Sequence, residues 1–388
     1  MKHRVQRCGL TKPLRALNGK SLQSTPPAVR SRVRGMVGIH QVAKVAGVSA
    51  STVSNVINGR AGKMRAETRQ RVLDAIERLR YTPNSAARQL KSGQNTTLGL
   101  IIPSAANPFW GAVAHHVERV ARKNGYRLLI CNAERDLEVE ARYAETLLGS
   151  GVTGVILGSS PLNFDHLRDL IGRGLKIAAF DQRVRDVEKG VTCAVSVDQE
   201  LGGALAAQHL IGLGHKRIGV VTGPIRTNSR IGRVNGVRAA LARARLAPLD
   251  DLLWQGGGVT GFGDMEGSEL GRLGIRELLS RDDPPTAIFC GNDMYALGAY
   301  AGARDLGYRV PDDISIVGFD DIAIAEIVHP PLTTVRQPIP AMAEVVVRLL
   351  IRHVEEGARE GGDEAFVNVP PQLIVRGSTA TARVPRPA

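Results

Sequence analysis

Val42-Ala43-Lys44-Val45-Ala46-Gly47-Val48-Ser49-Ala50-Ser51-Thr52-Val53-Ser54-Asn55-Val56-Ile57-Asn58-Gly59 is the stretch on which the reading of this chain turns. Ile39, Val42, Ala43 and Ala46 recur at the i, i+3, i+4, i+7 spacing of one helix face, so a short helix begins near Ile39 and stops at Gly47. Ser49 can cap a second helix, whose stripe is Thr52, Val53, Val56 and Ile57, and Asn58-Gly59 ends it with a pair suited to left-handed backbone. Two helices crossing steeply need a small residue where they touch (Ala43), a glycine in the turn (Gly47) and apolar contacts at Val42, Val48, Val53 and Val56. That is the spacing of a helix-turn-helix. An ordinary helical hairpin is the alternative, and the Ser, Thr and Asn side chains on the outer face of the second helix speak against it. Val72, Ile76 and Leu79 make a third stripe, giving three short helices that can bury a small core.

Charge is distributed to match. Residues 1–35 hold nine Lys or Arg and no carboxylate, and residues 36–93 carry a further net +7, so the whole-chain excess of +14 is N-terminal and the remaining body is near neutral at −2. Clustered Lys and Arg gain affinity by displacing the counterions of phosphates, which points to nucleic acid as partner. Residues 1–35 have no apolar periodicity. Met36 stands three residues before Ile39 and is the expected true start; retained, the preceding segment is a disordered basic arm, or a solvated tail that binds nothing.

Beyond Tyr81-Thr82-Pro83, Asn84 can cap one stretch, Ser85 to Lys91, too short to be stable alone. From Leu98 buried-strand runs alternate with helical patterns: Leu98–Ile102, Pro108–Asn124, Arg127–Cys131, Leu137–Ser150, Gly154–Leu157, Phe164–Arg173 and Ile177–Phe180. The rhythm resumes with Glu200–Leu213, Ile218–Thr222, Ile231–Ala244, Gly267–Ser280, Ala287–Cys290, Met294–Leu306 and Ile314–Phe319. Such alternation predicts an α/β fold with parallel sheets, and its length suits two lobes better than one sheet. Arg376 to Ala388 is rich in Pro, Arg and Thr and is expected to fray.

Other classes lack their apparatus. No apolar run approaches the ~18 residues of a membrane span. The basic N-terminus has no apolar region of a secretory signal, so a cytoplasmic location is expected. Cys8, Cys131, Cys193 and Cys290 are far apart and form no C-x-x-C, which argues against disulfides and structural zinc. His115-His116, His209 and His215 have no metal-ligand spacing with a nearby acid, so neither a metal nor a cofactor is expected. Gly261-Phe262-Gly263-Asp264-Met265-Glu266-Gly267 misses the dinucleotide fingerprint at Glu266, and neither a phosphate-binding loop nor a nucleophile elbow is present. An enzyme is not expected.

The quoted stretch resembles the headpiece of the lactose-repressor (LacI/GalR) family of bacterial transcription factors. The similarity continues through Glu67-Thr68-Arg69, Tyr81-Thr82-Pro83-Asn84, Ala86-Ala87-Arg88-Gln89-Leu90, Asn107-Pro108-Phe109, Leu213-Gly214-His215, Gly223-Pro224, Asn292-Asp293, Val317-Gly318-Phe319-Asp320-Asp321 and Pro331-Leu332-Thr333-Thr334-Val335. It implies a helix-turn-helix headpiece (36–82), a hinge (83–93), a two-lobed periplasmic-binding-protein-like core (94–378) and a disordered tail (379–388). The implied function is a dimeric repressor on palindromic DNA, controlled by a small effector in the cleft. By resemblance Ser49, Ala50, Ser51, Thr52, Asn55 and Asn58 face the operator, and Leu90 is the hinge wedge entering its minor groove. Phe109, Asp181, Arg233, Asn292, Asp320 and Gln337 hold the family's effector-contacting positions; some of these, Asn292 and Asp320 among them, follow strands where they can instead cap a helix. A polyhydroxylated ligand needs a fork donor, carboxylates, amides and an aromatic face, so a sugar is the first expectation and a nucleobase the second.

Three features depart from the family. Lys63-Met64-Arg65 stands where a Ser usually caps the third helix; the Gly256–Gly263 stretch is longer than usual; and no leucine-heptad tail is present, so a dimer rather than a tetramer is expected.

Overall fold

The computed structural model describes residues 37–57, 59, 62, 64–81, 95–181, 191–256, 267–356 and 366–382, and divides the chain after Gly93 into two units. The expected hinge (Ser85–Lys91, with Leu90), the recognition-face Asn58 and the stretch 257–266 lie outside the described residues.

In the first unit α1 (Ile39–Ala46), α2 (Ala50–Ile57) and α3 (Ala66–Leu79) form where the three stripes predict. Gly47 closes α1 at φ +65°, a left-handed position that costs glycine little, and the next N–H, of Val48, bonds the Ala43 carbonyl at 3.0 Å. The Ser49 hydroxyl accepts from the Thr52 N–H at 3.2 Å and so caps α2. Val42, Ala43, Ala46, Val53, Val56, Val72 and Ala75 bury against one another as the core of this unit. At the start of α3, Arg65 supplies no side-chain cap, as its sequence departure predicts, and Glu67 in the first turn sets a negative charge against the helix dipole instead.

The second unit is α/β. Among its described residues β1 (Thr97–Ile102), β2 (Arg127–Asn132), β3 (Gly154–Leu157), β4 (Lys176–Phe180), β5 (Val191–Val197) and β11 (Phe366–Val369) form one parallel sheet in the order β11-β5-β4-β3-β1-β2. A second sheet, ordered β12-β10-β9-β8-β6-β7, holds β6 (Ile218–Val221), β7 (Leu253–Trp254), β8 (Ala287–Cys290), β9 (Ser315–Asp320), β10 (Thr333–Arg336) and β12 (Gln372–Ile374). Only β12 of that sheet runs antiparallel, against β10. Pro108–Lys123 (α4), Leu137–Gly149 (α5) and Arg168–Gly172 (α6) intervene in the first lobe. Gln199–Gly212 (α7), Asn228–Arg243 (α8), Gly267–Leu279 (α9), Asp293–Asp305 (α10) and Ile324–Ile327 (α11) follow in the second.

The chain passes between the lobes three times: after β5, after β10 and between β11 and β12. After the second passage Ile339–Glu356 (α12), absent from the sequence reading along with β5, β7 and β10–β12, covers β3, β4 and β5 and packs on α4. Its buried Ile339, Met342, Ala343, Val346, Val347 and Leu350 keep the helical period.

The C-terminal expectation needs correction. Fraying from Arg376 and a tail from residue 379 are not what the structure shows as far as Ala382. Ser378 is fully buried, donating to the Ile316 carbonyl at 2.6 Å and accepting from the Thr333 N–H at 2.8 Å, and the Ala382 N–H bonds the Leu213 carbonyl. Polar residues read as tail hold because strand ends offer them partners. Two histidines complete the attachment: His209 Nε2 meets Thr379 Oγ1 at 2.9 Å, and His215 meets Thr286 Oγ1, Ser315 Oγ and the Ala380 carbonyl at 2.9–3.1 Å. Burial lowers the pKa of both below the ordinary 6.5, so the folded state binds fewer protons than the unfolded one. Their contribution is therefore full above pH 6.5 and is lost as pH falls below it. Urea midpoints between about pH 7.5 and pH 5.5 should fall for the parent and fall less for His215→Gln. Equal losses would remove His215 from this role.

Candidate effector cleft and recognition helix

On α2, Ser51 and Asn55 are exposed with Ser49 just before the helix, Ala50 and Thr52 are half-buried, and Val53 and Val56 turn inward. Ser49 Oγ lies 2.8 Å from both Ser51 Oγ and Thr52 Oγ1, so these hydroxyls are ordered at the helix N-terminus. This leaves a polar outer face, able to offer donors and acceptors to base edges, on a helix held by an apolar inner one.

In the second unit a single cavity gathers residues at the carboxyl ends of parallel strands: Asn107 and Phe109 after β1, Gly158 after β3, Asp181 after β4, Gly291 and Asn292 after β8, and Asp320 ending β9. Carboxyl ends are where open α/β sheets bind ligands. The free volume is small, about 30 Å³, and both lobes line it. Asp181 (φ +69°) and Asp320 (φ +119°) sit in backbone conformations that L-residues rarely adopt, a strain held by burial on both sides.

Arg233, on α8, is the centre. Its guanidinium carbon lies over the Phe319 ring, 3.7 Å from the centroid, Nε donates to Gln199 Oε1 at 2.7 Å and Nη1 to the Gly291 carbonyl at 2.6 Å. Nη2 faces Asp181 Oδ2 at 3.9 Å and Asp320 Oδ1 at 3.8 Å, both too long for hydrogen bonds. Burial pushes the Asp181 carboxyl up to about 6, against the opposing pull of Arg233, the Gln199 hydrogen bond, Arg135 and Ser229. Behind Asp320, fully buried Asp293 accepts from Thr334 Oγ1 at 2.6 Å and the Ile322 N–H at 2.9 Å; burial and the neighbouring Asp320 drive its pKa well up.

Of the positions that the resemblance implies, Phe109, Asp181, Arg233, Asn292 and Asp320 line one cavity together. Gln337 does not line it: it stands behind, at the second passage between lobes, donating from Nε2 to Asp320 Oδ1 at 2.7 Å. Asn292 also caps α10, accepting from the Tyr295 N–H at 2.9 Å. Trp110, Arg135, Ser229, Arg230 and Tyr295 line the cavity without having been singled out. Helical spacing could have found two of them, since Arg230 precedes Arg233 by three residues and Tyr295 follows Asn292 by three. Trp110 meets Phe109 edge-on at 5.0 Å and Phe180 at 6.1 Å, fixing an aromatic wall. No group of three or more His, Cys, Asp or Glu among the described residues is placed to hold a metal, and none of their helices is long and apolar enough to cross a membrane.

Known proteins match both units. Residues 38–84 match the model of the bacterial regulatory proteins of the lacI family, and residues 207–379 match that of the periplasmic binding protein-like domain. The HTH-type transcriptional repressor PurR of Aliivibrio salmonicida is 34% identical over 88% of this chain and 99% of its own. A lac repressor dimer bound to operator and the anti-inducer ONPF superposes with TM-score 0.74 at 28% identity, covering 89% of this chain and 99% of that one. The transcriptional regulator CelR in complex with cellobiose gives TM-score 0.65 at 28% identity over 88% and 99%. The chain belongs to the LacI family of DNA-binding transcriptional repressors. It regulates; it is not an enzyme.

Proposed function

We propose that the chain is a homodimeric cytoplasmic repressor whose affinity for a palindromic operator is set by a polyhydroxylated effector, a sugar, gripped between the core lobes. The Arg233 fork carries this reading. Its Nη2 faces two carboxylates across 3.8–3.9 Å, spacings that hydroxyls can bridge, while Nε is held by Gln199 and Nη1 by the Gly291 carbonyl. CelR's complex with cellobiose supports the sugar class. A nucleobase is the second reading, favoured by the aromatic wall of Phe109 and Trp110. With about 30 Å³ free, a ligand of either kind enters only as the lobes part, and contacts to both then favour reclosure.

The dimer is supported by apolar surface. Leu129 and Ile130 are exposed on the edge strand β2, and Ile327 on α11 is 78% exposed. A second copy would cover such patches. Leu90, placed only by resemblance, would be the minor-groove wedge of each protomer.

Thermal-shift screening of sugars and nucleosides, followed by operator titration, tests the effector reading. A stabilising sugar that also changes operator affinity is the expected result; a panel without any shift would sink it. For the operator, Asn55→Ala should cost about 1–3 kcal/mol at one base step of each half-site, because an Asn amide bonds an adenine edge twice. Quantitative footprinting against single-base operator variants checks it, and uniform weakening at every position would refute base reading by Asn55.

A further inference from the structure

We propose that Gln199 is the positioning residue of the cleft: one buried amide fixes Asp181 of the first lobe and Arg233 of the second in a single array, so that both grips are oriented before an effector arrives. This rests on the effector reading above. Gln199 opens α7 immediately after the first passage between lobes, and it is 3% exposed. Its Nε2 donates to Asp181 Oδ1, and its Oε1 accepts from Arg233 Nε at 2.7 Å. The partners admit one amide orientation, because a guanidinium can only donate and an ionised carboxylate can only accept. A side chain offering a donor and an acceptor about two bonds apart is therefore required. Glu supplies the acceptor without the donor, and Met supplies neither.

The backbone supports the same arrangement. Gly203, one turn along α7 on the same face, has no side chain to hold α8 away at Arg233, so Arg233 comes within reach of Gln199. Besides Gln199, the charged and polar side chains around Asp181 include Arg233, Arg135, Ser229 and Ser160, whose hydroxyl donates to the Asp181 carbonyl at 2.7 Å, and Asp320 lies 3.8 Å from the Arg233 Nη2 that also faces Asp181.

The two arms can be read separately, without an effector, in the full-length protein. Aspartate labelled with ¹³C at Cγ reports the Asp181 titration, assigned with Asp181→Asn, and the ¹⁵Nε–H resonance of Arg233 reports the other arm through its exchange rate. The parent should titrate near pH 6 with a slowly exchanging Nε–H. Gln199→Met should raise the Asp181 midpoint by about one unit and speed the exchange, since both hydrogen bonds are lost. Gln199→Glu should split the arms: the Nε–H stays protected, while Asp181 and the new carboxyl titrate in two coupled steps. An unchanged Asp181 midpoint in Gln199→Met, or exchange in Gln199→Glu as fast as in Gln199→Met, overturns the proposal. Because no ligand is used, either failure leaves the effector reading to stand or fall by its own screen.

Discussion

Gly203→Ala should lower the stability of the core by about 3 kcal/mol or more, a drop in melting temperature on the order of 5–10 °C. A Cβ at residue 203 would be driven into the Arg233 carbonyl oxygen, and one at Gly236 into that of Glu200. At this crossing α7 and α8 touch backbone to backbone, so neither can yield as a flexible side chain could. The helix propensity of Ala over Gly, up to about 1 kcal/mol, works the other way and is outweighed. Since the displaced residue is Arg233, the thermal shift given by a bound effector should vanish as well. Melting by circular dichroism, with and without that effector, measures both. A variant melting at or above the parent temperature would show that propensity governs and that the crossing can open.

Arg233→Ala should abolish the effector response while leaving effector-free operator binding close to that of the parent, because the headpiece belongs to the other unit of the chain. It should also destabilise the core. Asp181 and Asp320, each 5% exposed, lose the guanidinium between them, and breaking a buried charge pair typically costs 3–5 kcal/mol. Asp181 offers partial relief by taking up a proton. Its folded-state pKa, already about 6 and higher still without Arg233, lies above the ordinary 3.8, so the folded variant binds more protons than the unfolded chain between those values. The deficit should be largest at neutral pH and narrow as pH falls through the folded-state pKa. Urea unfolding at several pH values, with operator titration in the presence and absence of effector, measures both effects. A parent-like effector response would remove Arg233 from the grip.

What could be read in advance follows how each element earns its place. The headpiece was legible because the stripe Val42, Ala43, Ala46 and the cap Ser49 are local devices that determine their own geometry. The long helices and strands of the core were legible for the same reason. Strand β5 was not: Thr192 and Ser196 interrupt its apolar run, and it is a strand because β4 and β11 flank it. The two-residue β7 has too few residues to show any period. The resemblance located five residues that line the cavity: Phe109, Asp181, Asn292 and Asp320 end strands or follow them closely, and Arg233 lies on α8. It did not separate Gln337, which props Asp320, from residues that face the cavity, because an amide reads alike in either position. Gln199 was missed because its importance lies in two partners from different lobes, 18 residues before it and 34 after.

The three passages between lobes also set the order in which the core can be finished during synthesis. Neither lobe is one continuous stretch. The second needs only β12 to complete a sheet begun at Ile218, whereas the first, begun at Thr97, lacks its helix α12 and its edge strand β11 until residues 339–369 have been made. Until then the faces of β3, β4 and β5 that α12 covers stay uncovered, although every strand of the second lobe except β12 has already been translated. The lobe that starts first on the ribosome is thus left waiting with apolar surface open, which makes it the place where a stalled or truncated chain would aggregate.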